Sequence, residues 1–123
     1  MFEQDYIMRL IKEMVRAVLK LLFHIDTEQP TDEILQQEET RARLSRLLNL
    51  ADMGNINEAE NEIYEMTSNG NQENLKAALL FYSHLNDKED SFLQEHGFSR
   101  NEIKQGMESL LSRYGLSGII ELF

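Results

Sequence analysis

Residues 50–66 read LADMGNINEAENEIYEM, and how this stretch is parsed decides the fold. Leu50 and Ala51 close an apolar run of helical period, and Gly54 follows as a residue suited to a left-handed helix stop. Asn57 then reads as an N-cap, and Ala59, Ile63 and Met66 recur at helical spacing along one face of a new helix. Glu58, Glu62 and Glu65 fall on another face. The grammar is helix, glycine, helix, and it predicts two antiparallel helices joined by a tight turn.

The same grammar extends in both directions. Upstream, one helix is expected over residues 31–53, with Thr31 as N-cap and with Asp32 and Glu33 complementing the positive helix start. Its first half (DEILQQEETRAR) is polar, and its second half turns Leu44, Leu47, Leu48, Leu50 and Ala51 inward. Downstream, Ser68-Asn69-Gly70-Asn71 is a turn signal. The helix expected over residues 72–86 places Leu75, Ala78, Leu79, Phe81, Tyr82 and Leu85 over nearly half its circumference. It is the expected centre of the core. NDKED (residues 86–90) breaks the pattern, and a short helix through Phe92 and Leu93 ends at Gly97. Ser99 and Glu102 form a capping box for a further helix to Tyr114, striped by Ile103, Met107, Leu110 and Leu111. Gly115 stops it, and LSGIIELF forms a last apolar turn.

Residues 2–23 read as one long helix. Asp5, Arg9, Lys12, Glu13, Arg16 and Lys20 fall on an arc of about 100°. Ile7, Ile11, Met14, Val18, Leu21 and Ile25 follow the alternating spacing of a coiled-coil seam, and Met8, Val15, Leu19 and Leu22 add a second stripe. A helix apolar on two sides either threads the middle of the domain or pairs with a second copy. Because large apolar patches mark interfaces, the expectation is a homodimer with Ile7, Ile11, Met14 and Val18 near its two-fold axis. HIDTEQP (residues 24–30) is a connector, since the residue before a proline leaves the helical region. The charges from Arg9 to Lys20 argue against both a signal peptide and a transmembrane span. The wide apolar arc is claimed by the core, which argues against peripheral membrane contact.

Composition narrows the functional classes. A chain of 123 residues with 41% apolar residues supports one domain and one core. Glycine and proline are scarce, at six and one, which favours long helices. The absence of cysteine removes disulfides, thiolate nucleophiles and cysteine-bound zinc, and fits a cytoplasmic setting. A net charge of −10 argues against nucleic acid, which requires a basic footprint.

No residue pattern assigns catalysis, a cofactor or a metal. His24, His84 and His96 lack the Glu-x-x-His and His-Glu-x-x-His spacings of metal sites. His84 and Asp87 lie one turn apart, with Glu89 and Asp90 close behind; this cluster reads as a histidine favoured by a negative helix C-terminus rather than as a ligand set. SNGNQEN lacks the alternating carboxylates of a calcium loop. The six glycines never gather into a phosphate cradle.

Two resemblances add to this reading. Gly54, Ile56, Ala59, Ile63 and Met66 resemble the middle of a tetratricopeptide repeat, and a second glycine stop, Gly97, follows 43 residues after the first. Arg43 and Arg46 stand where that pattern calls for apolar residues. More widely, QDYIMRLIKEMVRAVLKLLF, EAENEIYEM, ALLFYSHLND and FLQEHGFSRNEI resemble a domain-of-unknown-function family of short acidic all-helical proteins from Gram-positive bacteria. That resemblance implies a compact bacterial helical domain and brings no activity or site residue with it.

The resulting expectation is an all-α domain of five or six helices in antiparallel hairpins, with tetratricopeptide-like character. Its expected role is a non-catalytic protein-interaction or scaffold module. The alternative is a small regulator or enzyme with a ligand pocket between helices. The expected partner surface combines Glu58, Glu62 and Glu65 with Tyr64.

Overall fold

The computed structural model describes residues 2–26 and 29–123. Thr27 and Glu28 of the expected connector, and the side chain of Asp32, lie outside what is described. Among the described residues the chain forms eight helices and no strand: α1 (Phe2–Phe23), α2 (Thr31–Ile34), α3 (Glu38–Asp52), α4 (Ile56–Met66), α5 (Gln72–Asn86), α6 (Asp90–Glu95), α7 (Arg100–Arg113) and α8 (Ser117–Ile120). Six of these exceed four residues; α2 and α8 are single turns.

Gly54 does what the opening stretch requires of it. It sits at φ +91°, where its N–H reaches the Ala51 oxygen and the next N–H, from Asn55, reaches the Leu50 oxygen. This is the left-handed stop that satisfies the last carbonyls of α3. Glu62, eight residues after Gly54, is ion-paired to Arg46, eight residues before it, so α3 and α4 run antiparallel. The chain re-enters helix at once: Asn55 is the boundary residue, and Asn57 lies inside α4 instead of capping it. The same stop recurs at Gly97 and Gly115. The Ser99–Glu102 capping box forms as expected, each side chain accepting from the other's main-chain N–H.

The helix expected over residues 31–53 is two helices. Ile34 and Leu35 both turn into the core, and the chain straightens through Leu35 before α3 begins. The cause is distant in sequence. Glu73 on α5 accepts the main-chain N–H groups of Gln36 (2.7 Å) and Gln37 (3.2 Å), supplying a negative group to the start of α3. Arg41 closes the break from the other side by donating to the Leu35 oxygen at 2.7 Å.

α1 and α5 form the centre. α5 packs against α1, α3 and α7, while α1 also packs against α7 and α8. Leu79, Phe81, Tyr82 and Leu85 are buried, as the spacing on α5 predicts. The same arrangement covers the middle of both apolar stripes of α1, while Leu21 and Leu22 near its C-terminal end are exposed at 59% and 41%. Ile11, Met14, Val15, Val18 and Leu19 are buried, and the six charged residues of its polar arc are exposed. α1 threads the domain.

Candidate functional site: two clefts flanking α7

α7 buries Ile103, Met107, Leu110 and Leu111 against α5 and α1. At about 100° per residue, Asn101, Lys104 and Glu108 lie along one edge of that buried stripe, and Gly106, Ser109 and Arg113 lie along the other. Each edge borders a cleft.

The larger cleft, about 590 Å³, runs between α1, α7 and the C-terminal segment. Ile7, Leu10, Met14 and Ile120 provide an apolar floor, and Tyr6 and Phe123 stand at its margin. Both aromatic rings are open to solvent, Tyr6 at 60% and Phe123 at 43% exposure. Asn101, Lys104 and Glu108 make the polar wall, where the Lys104 ammonium sits 3.6 Å from the Glu108 carboxylate one turn on.

The smaller cleft, about 200 Å³, opens between α4 and α7 with Tyr82 of α5 in its lining. Tyr82 donates its hydroxyl proton to Glu60 Oε2 at 2.8 Å. Gly106 lies directly against this pair: a Cβ there would fall 2.6 Å from the Tyr82 oxygen and 2.7 Å from Glu60 Oε2. Burial pushes the Glu60 carboxyl above its usual range and the nearby Glu102 charge adds to the rise, against the lowering effect of the Tyr82 hydrogen bond. Burial, with the Glu60 charge and hydrogen bond, likewise pushes the Tyr82 hydroxyl up. On the facing wall the Arg113 guanidinium lies over the Tyr64 ring, 4.3 Å from its centroid, and donates to Thr67 Oγ1 at 2.8 Å.

The residues singled out from sequence distribute over these features unevenly. Three of the four expected at a dimer axis, Ile11, Met14 and Val18, are sealed in the chain's own core, with exposures of 0%, 1% and 0%. That placement is corrected: the middle of the coiled-coil seam is covered within the chain by the helices packed on α1, α5 and α7 among them, while Leu21 further along it is exposed. Ile7 is half-buried and lines the larger cleft, as one edge of Met14 does. The expected partner surface also divides. Glu58 and Glu65 are exposed, but Glu62 is half-buried and held by Arg43 and Arg46 of α3. Burial alone would raise its carboxyl; the hydrogen bonds from Arg43 and Arg46 outweigh that and hold it low. Tyr64 lies about 120° round α4 from Glu58, on the opposite side of the buried stripe, and faces α7. Arg43 and Arg46, the departures from the repeat pattern, are therefore the cations that neutralise the centre of the acidic face.

His84 finds its partner across the α3–α5 contact rather than along its own helix. Its Nε2 lies 2.6 Å from Asp52 Oδ1, and Lys88 Nζ lies 2.5 Å from the same oxygen. Among the described residues no group of three or more histidines and carboxylates is placed to hold a metal ion. Glu60, Arg113, Tyr6 and Lys104 carried no sequence signal of a site, because charged and aromatic residues on a helix face are ordinary. Gly106 was the available clue, an isolated glycine inside a helical pattern that usually marks close packing.

The helices pack into an all-α structure with these two clefts beside α7, and among the described residues no helix is long and apolar enough to cross a membrane. The chain belongs to DUF6483, a family of unknown function, which it matches over residues 1–115. That span contains all of α1 to α7 and stops before α8. No curated protein and no solved structure matched the chain.

Proposed function

We propose that the protein is a small non-catalytic interaction module that associates with a second copy of itself through the α1/α7 cleft. The observation that carries the reading is the pairing of a depression with its own complement. Ile7, Leu10, Met14 and Ile120 form an apolar hollow of about 590 Å³, and the exposed rings of Tyr6 and Phe123 stand beside it. A two-fold interface brings the same patch together from both copies, so a surface with both a hollow and a protrusion can complement itself. Exposed aromatic side chains next to an apolar floor are also the usual anchors of an interface. The α3–α4 hairpin, with its tetratricopeptide-like Gly54, Ile56, Ala59, Ile63 and Met66, suits a scaffold, and a chain without cysteine suits the cytoplasm.

Sedimentation at tens of micromolar tests the reading. A species of twice the 14.4 kDa chain mass is expected, returning to 14.4 kDa in Leu10→Glu and Tyr6→Asp variants that keep the wild-type helical spectrum. A wild-type protein that sediments at 14.4 kDa throughout overturns it. One observation favours a second reading: the cleft lies in the size range of small-ligand sites, about 300–1,000 Å³, and Lys104 and Asn101 form a polar end to an apolar floor. An apolar ligand with an anionic head, co-purifying with a monomer, would establish that alternative.

A further inference from the structure

We infer that the cleft between α4 and α7 is a binding site for a small zwitterion of the amino-acid class, its ammonium held by Glu60 and Tyr82 and its carboxylate by Arg113. The inference goes beyond self-association and does not depend on it.

Glu60 is a half-buried carboxylate short of a cation. Among the described residues its hydrogen-bond partner is the Tyr82 hydroxyl, it has no ion pair, and the Glu102 charge repels it. Removing a carboxylate from water without a countercharge is unfavourable, so a bound cation would relieve the site. A ligand ammonium carries three donors, enough to reach the open lone pairs of Glu60 and the Tyr82 oxygen together. The other end of the cleft has the complementary charge. Arg113 is held in place by Tyr64 and by Thr67, which takes its Nη1 proton, while Nε and Nη2 make no hydrogen bond among the described residues. A guanidinium with a free edge is suited to a carboxylate. Ser109 lines the same wall between Gly106 and Arg113.

Spacing and room select the ligand class. Gly106 abuts Glu60, and Arg113 lies seven residues further along α7, about 10 Å of helix rise. A ligand that bridges the two ends must carry its ammonium and its carboxylate at opposite ends of one small molecule. The volume of about 200 Å³ lies below the range typical of drug-sized ligands and suits such a molecule. The absence of a side chain at Gly106 keeps the Glu60–Tyr82 end open, since a Cβ there would press on both oxygens.

The test is titration of the full chain with the free proteinogenic amino acids, followed by amide chemical shifts and calorimetry. Saturable binding of at least one of them is expected, with shifts at Asn61 and Ser109. Blocking either ligand charge, by N-acetylation or by esterification, should weaken binding by about tenfold or more. Glu60→Gln and Arg113→Met should each weaken it by about tenfold to a hundredfold, and Glu65→Gln on the exposed face should leave it unchanged. Because the ammonium requires ionised Glu60, affinity should rise as pH climbs through the acid range. Melting curves without ligand establish that each variant is folded. Absence of saturable binding up to about 10 mM overturns the inference, as does binding unchanged in both Glu60→Gln and Arg113→Met. An N-acetylated or esterified analogue that binds as tightly as its parent also overturns it.

Discussion

Arg100, the first residue of α7, donates from Nη1 to the main-chain oxygen of Asn86, the last residue of α5, at 2.5 Å. The same guanidinium reaches the Lys88 oxygen (2.6 Å) and Asp90 Oδ1 (2.7 Å from Nη2, 3.1 Å from Nε). Asn86 passes the connection on by donating its side-chain amide to the Met8 oxygen of α1 at 2.9 Å. One side chain, only 2% exposed, thus joins three helices. Its five donors in a fixed fork satisfy carbonyls in the α5–α6 turn that would otherwise be left without a partner.

Removing that fork should be costly. Arg100→Met keeps most of the volume but strands the Asn86 and Lys88 carbonyls, and a loss of about 3–5 kcal/mol in stability is expected by urea unfolding. Arg100→Lys should recover only part, because one ammonium cannot reach all three acceptors. A lysine variant that unfolds with the wild type would show that charge alone, and not the fork, matters here.

Gly54 is constrained twice, by its φ of +91° and by the His96 ring, which a Cβ would enter. Gly54→Ala should therefore cost more than the roughly 1–2 kcal/mol of a left-handed L-residue alone. His96→Ala in the same chain should restore the excess and leave the backbone cost. Equal melting temperatures for the single and double variants would remove the ring from the account.

Leu79 is fully buried on the most enclosed helix, packed where α5 meets its neighbours. Leu79→Ala should lower stability by about 2–5 kcal/mol, through lost transfer energy and the cavity left behind. A thermal midpoint within error of the wild type would place α5 at the periphery.

The acid limb of the stability profile should carry the signature of Glu73. Burial raises its carboxyl, but hydrogen bonds from Lys76 and from the Gln37 and Gln36 N–H groups outweigh that and hold it below its usual range. A depressed carboxyl contributes stability above its unfolded value, about 4.3, and loses it as pH falls through the lower folded value. Glu73→Gln should lower stability at neutral pH and flatten the curve below about pH 4.3. Glu60 has the opposite sign. Its raised carboxyl favours the fold below the unfolded value, and that contribution is lost as pH rises through the folded one. Glu60→Gln should therefore raise the melting temperature at neutral pH, and an unchanged midpoint would count against an uncompensated charge there.

The helix ends were legible because their causes are local. A glycine able to take positive φ, or a serine three residues before a glutamate, acts within one turn of chain, and Gly54, Gly97, Gly115 and the Ser99–Glu102 box all stand where the residue types place them. The two stripes of α1 were legible for the same reason, since periodicity along one helix counts its buried sides. What periodicity cannot name is the cover. A seam such as Ile11, Met14 and Val18 is written identically for a neighbour in the same chain and for one in a second copy, and packing against α5 and α7 decides it.

The break between α2 and α3, the division of Tyr64 from the acidic face, and both clefts were decided by tertiary structure alone. Glu73 acts across 36 residues on the Gln37 N–H, and the sequence around Gln36 holds no stop signal of its own. Glu62 and Tyr64 differ by two positions, yet one turns to Arg43 and Arg46 on α3 and the other to Arg113 on α7. Local sequence determines which residues turn helical and which of their faces are apolar, because backbone hydrogen bonds and burial patterns close over a few residues. The distance between two faces, and so the existence of a cleft and the charges that meet in it, depends on how whole helices pack, and no short stretch of chain contains that information.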